Sequence, residues 1–209
     1  GLQSKSTVDG SDSAWGWNVG MLWDLNPATR VGLSYRSPMK FKVSGNVGFD
    51  NPAPSVPAPL APVVGLLAQQ VNSVALYNSG INADIKLPDT ANLSIFQSIN
   101  DRWDWMADVQ WTGWSSLQNL TFVRSTGSVL QSTPENFDDT WRFAVGATYK
   151  YNDQWKFRTG VAFDQSPVNN TDRTVRLPDG DRTWLAAGMH YKLSPKRKFD
   201  VGLAYIFID

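Results

Sequence analysis

His190 is the only histidine of the chain and its clearest candidate for a catalytic base. A Ser-His-acid hydrolase needs a serine nucleophile within reach of such a base. The sequence contains no Gly-x-Ser-x-Gly elbow, and no serine is marked out as a partner by its surroundings. We therefore expect that the protein is not an enzyme and that His190 is a polar strand residue. The enzymatic alternative requires an activity that disappears in His190→Ala.

The acidic residues offer no clear metal site. Asp138-Asp139 and Asp179-Gly180-Asp181 lack the alternating ligand spacing of a calcium loop, so we interpret them as turn and loop-tip residues. The chain has no cysteine, no phosphate-binding loop and no basic stripe for nucleic acid. Its 19 basic and 19 acidic side chains balance. We therefore expect no metal, no cofactor and no nucleic-acid partner.

The elements that must position the polar side chains are strands, and the clearest of them lie between Asp138 and Asp164. Two segments, 141–151 and 155–164, alternate between a mostly apolar residue and a charged, small or polar one. Period-two alternation is typical of a β-hairpin with one apolar and one polar face. The predicted apolar face consists of Trp141, Phe143, Val145, Ala147, Tyr149, Tyr151, Trp155, Phe157, Thr159, Val161 and Phe163.

The length and the ends of these strands favour a membrane sheet over a soluble one. Each strand is about ten residues long and its apolar face ends in Trp or Tyr, as in transmembrane β-strands with aromatic girdles. The apolar face would then meet lipid, and the opposite face would line a lumen. We predict an all-β, antiparallel transmembrane β-barrel. A soluble β-sandwich or a lipocalin-like barrel is the alternative. The sequence has no apolar run of about 18 residues that would predict a transmembrane helix.

The same alternation predicts eight strands in all. The other six are expected at 13–25, 30–44, 83–99, 102–112, 182–193 and 199–207. Short turns alternate with long connections at 45–80, 115–137 and 165–181, the asymmetry of outer-membrane barrels with short periplasmic turns and long extracellular loops. Many inward positions are Gly or Ala, which would fill an eight-stranded barrel poorly, so a wider barrel is expected. We interpret residues 1–209 as a single barrel fragment that is truncated at both ends.

The connection at 45–80 differs in kind from the others. It begins with a Pro-rich run, NPAPSVPAPLAP, and continues as VVGLLAQQVNSVALY. Apolar residues recur in the second part at helical spacing, which predicts a short amphipathic helix inside a long extracellular loop. The apolar stripe of this helix either packs on the barrel rim or forms part of a docking surface for a hydrophobic ligand.

Four stretches resemble one known family. They are WGWNVGMLWDLNPATRVGLSYRS, VQWTGWSSLQNL, WRFAVGATYKYNDQWKFRTGVAFDQSPV, and LPDGDRTWLAAGMHYKLSPK with DVGLAY. They are similar to the later strands of the FadL-type long-chain fatty-acid transporters of the outer membrane. The resemblance implies a fourteen-stranded barrel, of which this chain resembles strands six to thirteen, and an N-terminal hatch that plugs the lumen. It implies passive uptake of long-chain fatty acids or other hydrophobic compounds. A structural or adhesive barrel whose long loops bind a partner is the alternative.

The resemblance also implies where a ligand would bind. In the family, the loop that matches 45–80 helps to form a hydrophobic docking groove. By location and apolar character, its residues here are Leu60, Val63, Val64, Leu66, Leu67 and Val71. A carboxylate ligand would also favour a cation in a partly dry lumen, and the inward candidates are Arg36, Arg142 and Arg158. The alternative is that these arginines pair with Asp104, Asp108 or Asp164, or with the hatch.

The expected partners follow from this interpretation. They are a hydrophobic small-molecule ligand, either a fatty acid or a hydrocarbon, together with membrane lipid and lipopolysaccharide. Detergent is expected to replace lipid in vitro. The expected location is the bacterial outer membrane.

Overall fold

A computed structural model describes residues 4–52, 56–57, 59–169, 171, 173 and 177–209 of the chain. The strands of this part are β1 (Lys5–Ser11), β2 (Asn18–Asn26), β3 (Thr29–Arg36), β4 (Met39–Asp50), β5 (Ser79–Leu87), β6 (Thr90–Ser98), β7 (Trp103–Thr112), β8 (Asn119–Arg124), β9 (Val129–Pro134), β10 (Thr140–Lys150), β11 (Trp155–Asp164), β12 (Arg182–Ser194) and β13 (Arg197–Ile208). The helix α1 spans Ala61–Val74, and a short 3-10 turn lies at Trp114–Ser116.

The strands form two sheets. One has five strands in the order β1-β4-β5-β8-β9, and the other has eight in the order β13-β12-β11-β10-β7-β6-β3-β2. The chain divides into two compact units, of which the first comprises residues 1–14, 40–85 and 119–133 and the second comprises residues 15–39, 86–118 and 134–209. The first unit holds the five-stranded sheet and α1. The second holds the eight-stranded sheet.

Each strand of the eight-stranded sheet corresponds to one of the eight predicted strands, two of them only in part, and its neighbouring strands are antiparallel. In its β10–β11 hairpin, Phe143 lies opposite Phe163 and Val145 lies opposite Val161. Side chains opposite each other in an antiparallel pair share a face, so the two strands present one apolar face together. The all-β antiparallel prediction is therefore confirmed. The edge strands of this sheet are β2 and β13.

The apolar face of this sheet is exposed rather than buried. Trp141 is 44% exposed, Val145 is 48% exposed and Leu203 is 79% exposed. Soluble proteins rarely expose a contiguous apolar surface of this kind. Few apolar residues of this unit are buried, and they include Phe137 and Ala162. The backbone ladder and cross-strand contacts, rather than a conventional core, therefore hold the sheet together.

Two predicted strands are broken by proline. The strand expected at 30–44 ends as β3 at Arg36, and β4 then begins at Met39 in the other sheet. The strand expected at 83–99 is likewise divided into β5 and β6. Pro38 and Pro88 stand at the two breaks, where a residue without an N–H cannot continue the ladder. The prediction of single long strands was wrong at these two places.

Two polar segments form strands that the pattern did not predict. Residues 1–12 contain β1, which pairs with β4 from Lys5 opposite Asp50 to Ser11 opposite Ser44. Its sequence, KSTVDGS, has no apolar alternation, so periodicity gave no signal. The connection at 115–137 contains β8 and β9. Backbone pairing with a partner strand, rather than an apolar face, creates these edges of the five-stranded sheet.

The region 45–80 combines strand, loop and helix. Residues 45–50 are the end of β4 rather than loop, and α1 occupies the helical stretch, with proline in its first turn. Residues 53–55 and 58 of the Pro-rich run lie outside the described residues, as do 170, 172 and 174–176 of the third long connection. In the part of the chain that is described, no helix has the length and apolar character needed to cross a membrane. The extracellular position of this region, and the single-barrel organisation of the chain, stay predictions.

Candidate ligand-binding sites

Helix α1 exposes most of its large apolar side chains. Among the predicted groove residues, Val64 is half-buried, and the exposed fractions are 56% for Leu60, 59% for Val63, 69% for Leu66, 58% for Leu67 and 53% for Val71. Ala68 is the buried residue of this helix. The helix thus turns a small side chain inward and leaves large ones in contact with solvent.

Helical geometry places four of these six residues in one stripe. At about 100° per residue, Leu60, Val63, Leu67 and Val71 fall on one side of the helix within an arc of about 80°. Leu66 lies about 60° outside that arc, and the half-buried Val64 lies about 20° beyond its other edge, toward the buried Ala68. We call the four residues the α1 stripe. Because the side chains of the α1 stripe are exposed, they are not packed into a hydrophobic core formed by the described residues.

Arg124 of β8 holds the C-terminal end of α1. It is only 4% exposed, and its guanidinium donates to the carbonyl of Ala75 at 2.6 Å, the carbonyl of Tyr77 at 2.8 Å and the hydroxyl of Ser79 at 2.9 Å. Ala75 is the C-cap of the helix, so a cation meets its partial negative charge. The guanidinium also lies over the Tyr77 ring, 4.0 Å from its centroid. These contacts fix the helix on the five-stranded sheet.

Tyr77 is itself part of this arrangement. Hydrogen bonds with the hydroxyls of Thr126 and Ser128 lower the pKa of Tyr77, and the nearby Arg124 cation contributes to the same shift. Sequence patterns missed Arg124 altogether. An arginine at the end of an extended stretch has no local signature of a helix clamp, because its partners lie 45 to 49 residues away in the chain.

The three predicted arginines lie on the polar face of the eight-stranded sheet. Arg158 makes an ion pair with Asp200 at 3.4 Å, in which both side chains are more than half exposed. Such a pair contributes little to stability. Within the described residues, neither Arg36 nor Arg142 has an ion-pair partner. Among the described residues, the alternative that these arginines pair with Asp104, Asp108 or Asp164 is therefore wrong, and Arg158 pairs with a different acid.

Those acids have other contacts. Asp104 is 6% exposed, accepts a hydrogen bond from Ser98 at 2.5 Å and pairs with Lys150 at 2.7 Å. Asp164 pairs with Arg182 at 3.3 Å. Asp108 lies opposite Ser94 and Ala144 in the ladder. Lys150 and Arg182 each lie on the strand next to that of the acid they bind. These two ion pairs therefore depend on the register of the strands.

His190 contacts an acid on the adjacent strand. Its Nδ1 lies 2.9 Å from an oxygen of Asp200, the same oxygen that Arg158 approaches. In the described part of the chain, no serine hydroxyl is hydrogen-bonded to this histidine. The arrangement orients a polar side chain on the sheet.

Comparison with known proteins identifies the family. The family model described as "Outer membrane protein transport protein (OMPP1/FadL/TodX)" matches residues 2–209. This chain belongs to that family. The membership confirms the resemblance stated from its sequence motifs and assigns the chain to an outer-membrane family.

Individual relatives of the family agree with this result. The long-chain fatty acid transport protein of Escherichia coli (strain K12) is 34% identical over 211 residues, which cover 99% of this chain and 45% of that protein. Outer membrane protein P1 of Haemophilus influenzae is 30% identical over 196 residues, which cover 93% of this chain and 38% of that protein. The chain thus spans less than half the length of these relatives.

Solved structures of the family share the fold. A Pseudomonas aeruginosa FadL homologue superposes with a TM-score of 0.77 at 28% identity, over 93% of this chain and 44% of that one. A CymD monoaromatic hydrocarbon channel superposes with a TM-score of 0.62 at 24% identity, over 99% of this chain and 52% of that one. At that identity the second match shows the fold alone. The family consists of transporters and channels, which supports a non-enzymatic role at family level.

Proposed function

We propose that this chain is part of an outer-membrane β-barrel that takes up long-chain fatty acids or other hydrophobic compounds passively through its lumen. The exposed α1 stripe is the observation that carries the proposal, because a soluble helix with this pattern would bury those side chains. Family membership supports the same function. An adhesive barrel whose long loops bind a partner is the competing proposal.

The proposed barrel has fourteen strands, of which the eight-stranded sheet forms a part. The exposed face of that sheet meets membrane lipid, or detergent in vitro, and the polar face lines the lumen. The edges of β2 and β13 pair with further strands of the full-length protein, since long unpaired edges invite aggregation. The long connections face outward, where lipopolysaccharide is a neighbour.

The proposed path begins at α1. A hydrophobic ligand docks on the residues Leu60, Val63, Val64, Leu66, Leu67 and Val71, with the α1 stripe as the main contact. It then passes along the polar face, where Arg36, Arg142 and Arg158 contact its charged end if it has one. Arg124 keeps the stripe in place by clamping the helix end.

The test measures equilibrium binding of oleate to the full-length protein in a non-ionic detergent. The double variant Val63→Ser/Leu67→Ser removes the centre of the α1 stripe, and we expect oleate affinity to fall at least about ten-fold, since two buried aliphatic contacts contribute about 1.5–3 kcal/mol each. Val129→Ser is the matched control, because Val129 is 60% exposed in β9 and outside the stripe. Wild-type protein that binds no oleate at all would favour the adhesive barrel.

A further inference from the structure

The turn that joins β12 to β13 carries a dense group of positive charges. Residues 192–198 read KLSPKRK and contain no acidic residue. The seven residues around each of the other three short turns of the eight-stranded sheet have at most one net charge, as DLNPATR at 24–30, SINDRWD at 98–104 and KYNDQWK at 150–156 show. We call residues 192–198 the basic turn. Its four basic residues are Lys192, Lys196, Arg197 and Lys198.

The positive charge of the basic turn is not neutralised by neighbouring acids. Within the described residues, none of its four basic side chains has an ion-pair partner. The acid nearest in sequence, Asp200, is engaged with His190 at 2.9 Å and with Arg158 at 3.4 Å. Lys192 and Lys198 lie directly opposite each other in the ladder. Like charges in this arrangement repel each other, so an anion bound at the turn would stabilise it.

An aromatic row borders the basic turn on the apolar face of the sheet. Tyr191 lies opposite both Phe199 and Trp155, and the rings of Tyr191 and Trp155 are 4.3 Å apart. Nearer the turn, Arg197 lies opposite Ser194. Arg197 and Phe199 are two residues apart in one strand, so they share a face. Because aromatic belts mark the boundary between membrane and water, Arg197 stands at the level of the lipid head groups.

We infer that the basic turn is a contact site for the head groups of anionic phospholipids. Arg197 binds the phosphate group from the apolar side of the sheet, and Lys196 binds it from the tip of the turn. The opposed pair Lys192 and Lys198 adds positive charge from the polar side. An acidic protein segment would match this charge but would leave the adjoining aromatic row uncovered, whereas the acyl chains of a phospholipid cover it.

The inference rests on the proposed function, in which the apolar face of the sheet meets lipid. It goes beyond that function because it names the class of lipid and the turn that selects it. All three basic residues at the tip and on the β13 side, Lys196, Arg197 and Lys198, are exposed and thus accessible to a head group. The site is independent of the compound that passes through the lumen.

The test measures which lipid lies next to the basic turn. Residues 1–209 contain no cysteine, so Leu193→Cys, in a full-length protein kept free of other cysteines, carries a single bimane label. The protein is reconstituted in equimolar vesicles of phosphatidylglycerol and phosphatidylcholine, in which one or the other lipid has brominated acyl chains that quench the label at short range. We expect a preference of at least about five-fold for phosphatidylglycerol at this position, since each basic side chain near an anionic surface contributes about that factor.

Leu25→Cys is the matched control position. Leu25 and Leu193 are both exposed, and each lies at a shift of register beside a short turn. The charged residues next to Leu25, Asp24 and Arg30, pair with each other at 2.6 Å. A label at position 25 should therefore show no preference between the two lipids.

Two double variants test the role of the charges. Lys196→Gln/Arg197→Gln removes the direct contacts, and the preference at position 193 should fall to the level at position 25. Lys40→Gln/Lys42→Gln removes the same charge from exposed positions of β4 and should keep the preference. Raising the salt concentration to about 0.5 M should reduce the preference in wild-type protein, because salt screens exposed charges. Heat-modifiability on a gel verifies that each variant is folded.

The outcomes separate the inference from the proposed function. Equal quenching by the two brominated lipids at position 193, which an acidic protein partner also predicts, would overturn the head-group site while leaving the lipid-facing surface intact. A preference that is the same at positions 193 and 25, or that persists in Lys196→Gln/Arg197→Gln, would overturn it as well. A label that neither lipid quenches at either position would overturn both the site and the lipid-facing surface. A preference confined to position 193 that disappears in Lys196→Gln/Arg197→Gln supports the site.

Discussion

Replacing Arg124 with methionine should release α1 from the five-stranded sheet. Methionine approximates the length of the side chain and removes its charge and all three hydrogen bonds. Two carbonyl groups, those of Ala75 and Tyr77, then lose their donor. An acceptor left without a donor costs about 1–3 kcal/mol where it is shielded from water, and the contact with the Tyr77 ring contributes about 1 kcal/mol more. Water can hydrogen-bond to these carbonyl groups once the helix end opens, which offsets part of the cost. We therefore expect the free energy of local opening of α1 to fall by roughly 3 kcal/mol.

Amide hydrogen exchange measures this loss directly. Since about 1.4 kcal/mol corresponds to a factor of ten, amides in 64–77 should exchange about 100-fold faster in Arg124→Met than in wild-type protein. Amides of the β10–β11 hairpin, in the other unit, should keep their rates. Arg197→Met is the matched control, because Arg197 is exposed at the start of β13. Arg124→Lys retains the charge at the helix end and should give an intermediate rate.

The reasoning would be refuted if exchange in 64–77 were unchanged in Arg124→Met. It would also be refuted if the hairpin amides accelerated to the same extent, since that result would mean global rather than local unfolding. Oleate binding gives a second readout, because a released helix no longer presents the α1 stripe in one position. We expect affinity to fall together with helix protection.

Two further predictions concern backbone and charge. Gly45→Ala should detach β1, because a Cβ would lie 1.8 Å from the Asp9 carbonyl oxygen; Gly48→Ala, with no atom within 4 Å, should leave the exchange rates of β1 amides unchanged. Equal rates in the two variants would contradict this. Asp139 accepts hydrogen bonds from Ser115 that lower its pKa from the usual 3.8. Its stabilising contribution is therefore complete above that value and is lost as pH falls below it, so protection of the Ser115 amide should decline only in acid. In Asp139→Asn the side-chain oxygen still accepts this hydrogen bond but does not titrate, so the decline of protection in acid should disappear.

The sequence pattern predicted the eight-stranded sheet because each of its faces meets a different environment. Phe143 and Val145 alternate with Ala144 and Gly146, and that contrast is visible without a partner strand. The same reasoning failed for β1, where both faces are polar and only pairing with β4 defines the strand. For the strand expected at 30–44, Pro38 was expected to interrupt the ladder and weaken the pairing near the far end, whereas β3 ends before it and β4 joins the other sheet.

The candidate sites divide in the same way. The α1 stripe was predictable, since helical spacing of apolar residues is a local property. The acid that contacts His190 was not, because Asp200 lies opposite it only through strand register. Arg124 was missed for a related reason, since two of its three hydrogen-bond acceptors are backbone carbonyl groups, which every residue has. Alternation along a strand assigns each side chain to one face of the sheet, but it does not determine which side chains of that face are neighbours.

The central claim is that the alternation of these strands divides a lipid-facing surface from a lumen. Residues 1–209 contain no cysteine, so Phe143→Cys, Ala144→Cys, Val145→Cys and Gly146→Cys each introduce one position in β10 for a spin label, in a full-length protein kept free of other cysteines. With the full-length protein in liposomes, accessibility to oxygen, which is enriched in lipid, and to a water-soluble nickel complex is measured at each position. The account predicts oxygen access at 143 and 145 and nickel access at 144 and 146. Equal accessibility at all four positions, or nickel access at 143 and 145, would contradict it.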